Sequence, residues 1–421
     1  MRAPLWHLAW RSLANRSLTV ALTVLAVAIS VAMLLGVERL RQDAREGFAR
    51  TVSGTDLIVG ARSGPVQLLL YSIFHLGDAT NNVSWRSLQS IAAHPQVAWL
   101  VPLSLGDTHR GFRVVGTSRA FFEHYRHGRG RTLAFEQGRA FDGVFEAVVG
   151  AEVAARHGYV PGQRIVVSHG AGGLGSAEHD DRPFTITGVL ARSGTPVDRS
   201  VLVSLEAIEA IHLNWSGGVR MPGLDLPAER IERFDLTPKA VTAALVGLKS
   251  RTAVFSVQRH VNDFRDEPLL AILPGATLQQ LWSMLAIAER ALLAVSALVV
   301  VAGLAALVAV MVAGLNERRR ELAILRALGA GPGRIFVLLA MESQFIAVLG
   351  CATGLALVHT GILVGAPWLE ARFGLELQAG WPGSSEWRML AFVLLAAAVA
   401  SLVPGWRAWR QSLAEGMTIR I

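Results

Sequence analysis

The sequence predicts an α-helical membrane protein with four transmembrane helices and one large extracytoplasmic mixed α/β domain between helices 1 and 2. Of its 421 residues, 52% are hydrophobic and only 17% are charged, a proportion too apolar for a soluble protein of this size. Four long apolar runs are suited to span a membrane. The stretch between the first two runs alternates short strand-type and helix-type segments, which indicates a mixed α/β domain.

The basic residues follow the membrane topology. The net charge of +8 raises the alternative of nucleic-acid binding, but all except two of the 40 basic residues are arginine, and many flank the apolar runs. This placement is typical of membrane topology rather than of phosphate binding, so we expect no nucleic-acid partner. The only cysteine, Cys351, lies within an apolar run, so no disulfide can form within the chain.

The N-terminal region is interpreted as an interfacial helix followed by a span. Residues 1–16 mix apolar residues with arginines and place Trp6 and Trp10 at headgroup depth, as in a cytoplasmic interfacial helix. Residues 17–37 form the first span, about 20 residues without a charge. A signal peptide cleaved near Ala28 is the alternative, but the apolar run continues past that point. The charged helix that follows is expected to project as a stalk.

The predicted domain covers residues 38–290, with a helical stalk at each end. Strand-type runs lie at 56–60, 97–103, 112–116, 147–150, 164–168, 184–190 and 200–204. Helix-type segments lie at 84–94, 118–125, 151–157 and 205–212. Further along, we predict a helix over 238–248 and a strand over 253–257. The apolar stretch 55–76 is either a lipid- or partner-contacting loop or, as we favour, ordinary core.

The remaining spans and loops complete the topology. The spans cover 291–315, 335–364 and 387–405, with a central loop at 316–334, a short extracytoplasmic loop at 365–386 and a tail at 406–421. Three arginines lie in the N-terminal segment, five in the central loop and three in the tail, whereas the short loop has only Arg372. Because arginine accumulates on the cytoplasmic side, both termini and the central loop are predicted to be cytoplasmic.

The central loop combines a short amphipathic helix with a strong stop. Asn316 is a suitable N-cap, and the acidic residues after it match the positive end of a helix. Gly329 and Pro332 then end the helix. A short basic helix between two spans is interpreted as a docking element, with Leu325 and Leu328 buried in the partner. Its docking residues are Glu317, Arg318, Arg319, Arg320, Glu321, Leu322, Ile324, Leu325, Arg326, Leu328 and Gly329.

Motifs for nucleotides and metals are weak. The pattern G-x-G-x-x-G occurs at 170–175, but no helix is predicted after it, so we favour a hairpin loop. No glycine-rich loop carries the lysine that a P-loop ATPase requires, so any ATPase must be another chain. Solvated histidines are favoured over a metal site, and no catalytic site is predicted. A metal site, the alternative, would use residues from a set of histidines and aspartates in which the first two share one helical face: His124, His127, His157, His169, His179, Asp180 and Asp181.

Three residues of the third span stand out. Glu342 is an ionisable group within the membrane, expected to pair with a basic loop residue or to snorkel. Gly350 and Gly354 permit close helix packing. The sequence does not favour packing of these glycines within one chain over their contact with a second copy of the chain.

The stretch at 316–335, NERRRELAILRALGAGPGRI, resembles the loop motif of the FtsX/MacB-type (type VII) ABC transporter permeases. The four-span plan with one large external domain agrees with that family, as does the ending PGWRAWR at 404–410. The resemblance identifies residues 17–205 with a MacB-like periplasmic core and 291–410 with an FtsX-type permease domain. The loop motif is the more specific part.

The resemblance implies a homodimer in the bacterial inner membrane that works with a separate ABC ATPase. ATP and Mg would be used by that ATPase, so no cofactor is expected on this non-catalytic chain, which has no ATPase domain fused to it. The segment 317–328 would be the coupling helix in an ATPase groove. Membrane lipid and a periplasmic adaptor or lipoprotein are further expected partners.

Two functions compete. In the first, ATP-driven mechanical work exports or extracts a substrate. In the alternative, an FtsX-like regulatory transmitter activates a periplasmic enzyme or partner without transport. A membrane-anchored enzyme is disfavoured because no catalytic arrangement stands out.

Overall fold

The chain forms two compact units. The computed structural model describes residues 16–51, 54–128, 130–169, 182–213, 215–216, 219–220, 231, 234–317, 319–373 and 380–410. The membrane unit consists of Met1–Ala44 and Ala286–Ile421, and the domain unit of Arg45–Leu285. Each unit has its own buried apolar clusters.

The domain unit carries the α/β architecture. The long helix α1 (Ser17–Thr51) precedes it, and its own helices are α2 (Pro65–Ile73), α3 (Trp85–Ala92), α4 (Ala120–His124), α5 (Ala151–His157), α6 (Leu205–His212) and α7 (Val254–Asn262). Its strands are β1 (Leu57–Ala61), β2 (Val83–Ser84), β3 (Val97–His109), β4 (Phe112–Thr117), β5 (Arg126–His127), β6 (Arg131–Thr132), β7 (Phe135–Gly138), β8 (Glu146–Val149), β9 (Arg164–Ile165), β10 (Ser168–His169), β11 (Phe184–Leu190), β12 (Ser200–Ser204), β13 (Trp215–Ser216), β14 (Val219–Arg220), β15 (Ala240–Val241), β16 (Ala243–Leu248) and β17 (Leu269–Ile272).

One large mixed sheet organises this unit. Its strand order is β17-β1-β16-β3-β4-β12-β8-β11-β7, with β10 paired to β3 and β9 to β11. The pairs β4–β12 and β8–β11 are parallel, whereas β3–β4 and β8–β12 are antiparallel. The chain passes from β8 to β11 through α5, as a parallel connection requires. The predicted mixed α/β domain is confirmed.

The stretch 55–76 is core. Strand β1 is buried along its whole length, as expected for a strand covered on both faces. Helix α2 then buries Leu68, Leu69 and Tyr71 against the sheet. Since full burial of one such side chain contributes about 1.5–3 kcal/mol, this stretch is a stabilising element of the domain. Its interpretation as a lipid- or partner-contacting loop is wrong, apart from the exposed Leu76.

Two predicted elements near the end of the domain are wrong. The stretch 238–248 contains strands β15 and β16 instead of a helix, and residues 254–257 belong to helix α7 instead of a strand. The run of small and aliphatic residues in β16 resembles a helix in sequence, but it is buried on both faces between β1 and β3. Gly247 lies directly against the Trp99 ring of β3, where no side chain could fit.

Helix α7 covers the edge strand β17. Val257 and Val261, one turn apart, pack into the domain core. The Gln258 amide donates to the Ala271 carbonyl at 3.0 Å, and the Ala271 N–H donates to the Asn262 side-chain oxygen at 2.7 Å. These bonds occupy backbone groups that an open sheet edge would offer to another chain.

In the described part of the chain, four helices are long and apolar enough to span a bilayer. They are α1, α8 (Pro274–Glu317), α10 (Pro332–Phe373) and the pair α11 (Ser384–Ala400) and α12 (Leu402–Arg410), with the short α9 (Arg319–Ala327) between α8 and α10. The candidate spans are Ser17–Ala49, Pro274–Leu315, Pro332–Ala366 and Ser384–Arg410, which confirms the predicted four-span plan. Asn316 lies inside α8, so its prediction as an N-cap is wrong.

Small residues bring the membrane helices together. A Cβ at Gly303 of α8 would lie 2.6 Å from the Ser30 hydroxyl of α1, which donates to the Val299 carbonyl at 3.1 Å. A Cβ at Gly350 of α10 would lie 2.5 Å from Val27, and one at Gly354 would lie 2.8 Å from the Ala28 carbonyl oxygen. Both glycines of α10 therefore contact α1 of the same chain.

Candidate functional site

The predicted docking helix α9 has one face in the core of the membrane unit and one face exposed. Leu322 is 6% exposed and belongs to the buried cluster of this unit, and Leu325 packs against the same cluster. Ile324 is 53% exposed and Leu328 is 81% exposed. The exposed apolar pair is therefore Ile324 and Leu328, one turn apart, rather than Leu325 and Leu328.

A hydrogen bond attaches α9 to α12, and charged groups lie on the exposed side of α9. The Arg326 guanidinium donates to the Ala408 carbonyl of α12 at 2.5 Å. Arg320 and Glu321 are exposed on the same helix. Arg318 and the side chains of Glu317 and Arg319 lie outside the described residues.

The predicted stop after α9 is present. Gly329 has a φ of +92°, a left-handed conformation that few other residues adopt without strain. Its N–H donates to the Arg326 carbonyl at 2.9 Å, and the Ala330 N–H donates to the Leu325 carbonyl at 3.0 Å. Pro332 then begins α10, a position where its missing N–H costs no hydrogen bond. The direction of the chain between α9 and α10 is thus fixed locally.

Helix α12 is packed against α10 beside the predicted docking helix α9. Ala408 of α12 is buried in the same cluster as Leu322 and Ile335. A Cβ at Gly405 would lie 2.6 Å from the Phe336 ring, so α12 and α10 are in close contact. Movement of α9 relative to these helices would require repacking of this cluster.

The ionisable group predicted in the third span is buried. Glu342 is 1% exposed, so it does not snorkel to the membrane surface. Two residues along, the Gln344 side-chain amide donates to the Leu394 carbonyl of α11 at 3.2 Å. This bond joins α10 and α11 inside the span, where polar contacts between helices stabilise association.

The histidines serve the domain structure. The His124 ring stacks on Trp99 with centroids 4.8 Å apart, and α4 ends at His124, so His127 does not share its helical face. His157 stacks on Tyr159, whose hydroxyl lies 2.8 Å from His109 Nε2. Burial lowers the pKa of His109 and His157, and the positive charge of Arg110 adds to this. These three histidines therefore have aromatic or hydrogen-bonding partners within the domain unit.

Other residues of the nucleotide and metal hypotheses lie outside the described part of the chain. They are 170–175, His179, Asp180, Asp181 and the side chain of His169. Among the described residues, no group of three or more metal-ligating side chains is placed to hold an ion.

Comparisons with known proteins decide the family. The model of the MacB-like periplasmic core domain matches residues 20–262, which is more than half of the chain. The model of the FtsX-like permease C-terminal region matches residues 293–413. The chain is an FtsX/MacB-type permease. It is therefore a multi-pass membrane protein of a family of ABC transporter permease subunits, whose members work with an ABC ATPase.

Two solved structures are similar to the domain region of this permease. One is the periplasmic region of MacB from Actinobacillus actinomycetemcomitans, with 11% identity, a TM-score of 0.33, and coverage of 55% of this chain and 94% of that one. The other is the extracellular domain of the noncanonic ABC-type transporter YknZ from Gram-positive bacteria, with 12% identity, a TM-score of 0.29, and coverage of 52% and 99%. Comparison with curated proteins finds no match. The assignment rests on the family models.

The permease also has an ionic cluster that the sequence reasoning missed. We call it the α1–α11 network, and it comprises Glu38, Arg39, Arg41, Gln42, Ser385 and Glu386. The Arg41 guanidinium donates to both Glu38 oxygens at 2.9 and 2.7 Å, and the Gln42 amide donates to Glu38 at 2.7 Å. Arg41 and Gln42 follow Glu38 by three and four residues, the spacing of neighbours on one face of a helix, so this part of the network could be predicted from the sequence.

The network crosses between two helices of the membrane unit. Arg39 donates to Glu386 at 3.0 Å and to the Gly380 carbonyl at 3.2 Å, and Gln42 donates to the Ser385 hydroxyl. Glu386 also accepts the Gly383 N–H at 2.6 Å, which caps the start of α11. No sequence spacing relates residues 38–42 to 380–386, so this part is visible only in the folded chain.

The ends of the long helices α1 and α8 contact each other in the domain unit through an aromatic group that comprises Phe48, Phe74 and Trp282. Phe48 of α1 lies 4.4 Å from Phe74 and 5.5 Å from Trp282 of α8, between ring centroids. The Arg45 guanidinium lies 5.5 Å from the Trp282 ring, a cation–π contact. Phe48 and Trp282 pack against the main core cluster. Both helices are thereby attached to the sheet of the domain unit.

Proposed function

We propose that this permease transmits the work of ATP hydrolysis by a separate ABC ATPase to its domain unit, and thereby exports or extracts a substrate. It would act as a homodimer in the bacterial inner membrane, with both termini in the cytoplasm, as the arginine distribution indicates. The observation that carries the proposal is the two-sided docking helix α9. One of its sides is held in the membrane unit, and the other presents apolar groups for a partner.

The exposed side of α9 has the composition of a small docking surface. Ile324 and Leu328 lie one turn apart on one face. Burial of two such side chains in a groove would contribute about 1.5–3 kcal/mol each. Arg320 and Glu321 add charged groups around them, as is common at the rim of an interface.

The side of α9 that packs in the membrane unit would couple the docked ATPase to the membrane helices. Leu322 and Leu325 pack in the apolar cluster of the membrane unit, and Arg326 bonds to the backbone of α12. A displacement of the exposed face by the ATPase would therefore move the helices of the membrane unit.

The long helices supply a route to the domain. Helix α1 is continuous from Ser17 to Thr51, and its last turns carry Phe48 into the aromatic group. Helix α8 runs from Pro274 to Glu317 and carries Trp282 at its other end. A continuous hydrogen-bonded helix resists bending, so each can carry movement along its length.

The test concerns the exposed pair. The double variant Ile324→Asp/Leu328→Asp should reduce copurification of the ABC ATPase at least about tenfold, because two charges would enter an apolar groove. The matched control Ile324→Leu/Leu328→Met keeps both side chains apolar and should retain the ATPase. Membrane insertion and the elution volume in detergent should be unchanged in both variants. Full ATPase recovery with the aspartate variant would contradict the proposal.

A further inference from the structure

The α1–α11 network holds charges in a position where they are costly unless paired. Glu38 and Glu386 are almost fully buried, and the Arg39 side chain is 12% exposed. A buried carboxylate that loses its cationic partner destabilises the fold strongly. The network therefore resists separation of its two helices, and its bonds have defined directions.

The helix pair α11–α12 is attached at both ends. At the start of α11, the network binds it to α1 through Glu386 and Ser385. At the other end, Ala408 accepts the bond from Arg326 of the docking helix. Between them, the helix is interrupted only at Ser401, which is explained by Pro404, since proline disturbs the bond to the carbonyl four residues before it. The Ser401 N–H still donates to the Ala397 carbonyl at 2.9 Å.

The contact of α1 with α10 is of a different kind. At Gly350 and Gly354 it consists of close apolar and backbone contacts with Val27, Ala28 and Val31. Such contacts hold two helices near each other but carry no ion pair that fixes one helix along the axis of the other. The ionic contact with α11 fixes that position.

We propose that the α1–α11 network is a permanent tie that makes α1 and α11 move as one body. The pair α11–α12 then carries displacement of the docking helix to α1. Arg39 and Glu386 are the positioning residues of this tie. Displacement of the docking helix by an ATPase rests on the proposed function. The tie between α1 and α11 does not, because it is formed within this chain.

The first test measures the distance between the two helices. Cysteines replace the exposed Leu40 of α1 and Arg388 of α11 in a Cys351→Ala background, and both receive spin labels. An excess of unlabelled chain is added, so that each homodimer contains at most one labelled copy and only the distance within that copy is measured. We expect one narrow distance distribution in the purified chain, and the same distribution in the complex with the ATPase trapped by vanadate. A second or shifted distance in either state would overturn the tie. If no ATPase binds, the proposed function fails, while the measurement on the chain alone still decides for or against the tie.

The second test exchanges the charges. Arg39→Glu and Glu386→Arg should each broaden the label distance at least about twofold, and the double exchange should restore a narrow distribution. Glu386→Gln serves where a charge reversal prevents folding, and it should broaden the distance as well. Glu46→Arg, at an exposed position of α1, is the matched control and should leave the label distance unchanged. Unbroadened distances in the foldable Arg39 and Glu386 variants, or equal broadening by the control, would refute the proposal.

Discussion

Each of the two units of this permease is stabilised internally by a different kind of contact. The domain unit buries large side chains such as Tyr71, Phe121 and Phe184 around its sheet. The membrane unit instead uses glycines in close contact with neighbouring helices and a few buried polar bonds.

The solvent explains the difference. In water, removing apolar surface drives folding, so large side chains contribute most to the stability of the domain. In a bilayer, lipid tails are as apolar as leucine, so helices associate through close packing and polar bonds. A residue of the same type should therefore have a different energetic effect in the two units. The first two predictions below concern the domain unit and the third concerns the membrane unit, from the largest expected effect to the smallest.

Truncation of a large core side chain should have its greatest effect in the domain unit. Phe184 of β11 is fully buried, so Phe184→Ala should reduce the free energy of unfolding by about 3–5 kcal/mol. Phe255 of α7 is 68% exposed, and Phe255→Ala should change it by less than about 0.5 kcal/mol. Urea unfolding of the detergent-solubilised permease, followed by fluorescence, measures both. Equal effects of the two variants would contradict the assigned core.

Acidification should weaken the domain unit through His75. Its Nδ1 lies 3.0 Å from the Ser200 hydroxyl, and burial, with repulsion from Arg113, lowers its pKa to about 4. The unfolded chain, with a pKa near 6.5, therefore takes up a proton first. Stability present above pH 6.5 is lost as the pH falls towards 4, by up to about 3 kcal/mol.

The control for this prediction keeps the loop geometry. His75 has a φ of 54°, which asparagine tolerates, and an asparagine amide can also donate to Ser200. In the His75→Asn variant, the difference in unfolding free energy between pH 7 and pH 4.5 should shrink. An unchanged difference would mean that other groups cause the acid sensitivity.

Enlargement of a packed glycine should be damaging in the membrane unit. Gly354→Val would push a side chain against Ala28 and Val31 of α1 and should destabilise the permease by about 1–3 kcal/mol. Gly361, two turns along the same helix, has no atom within 4 Å of an added Cβ. Gly361→Val should therefore cause no loss of stability, because valine has a somewhat higher helix propensity than glycine. Thermal denaturation in detergent compares the two variants. A similar melting temperature for both variants would place the α1–α10 contact elsewhere.

Much of the architecture could be predicted from local patterns. The four spans, the mixed domain and the stop at Gly329 follow from apolar length, alternation and glycine chemistry. The error at 238–248 arose because alanine and leucine favour a helix in isolation, whereas burial of β16 on both faces within the sheet decided otherwise. That docking takes place on α9 stays a prediction, and the choice between Ile324 and Leu325 as its exposed residue depended on which side the membrane unit covers.

The sequence by itself determined that the chain crosses the membrane four times and carries one folded domain and one short helix between two spans. These features depend on composition and on short spacings, which a linear chain displays directly. Only the tertiary structure decided that Arg39 meets Glu386, that Arg326 meets Ala408 and that Gly350 and Gly354 contact α1. Each of these contacts joins residues far apart in the chain, and its strength depends on burial and direction, which exist only after the helices have packed.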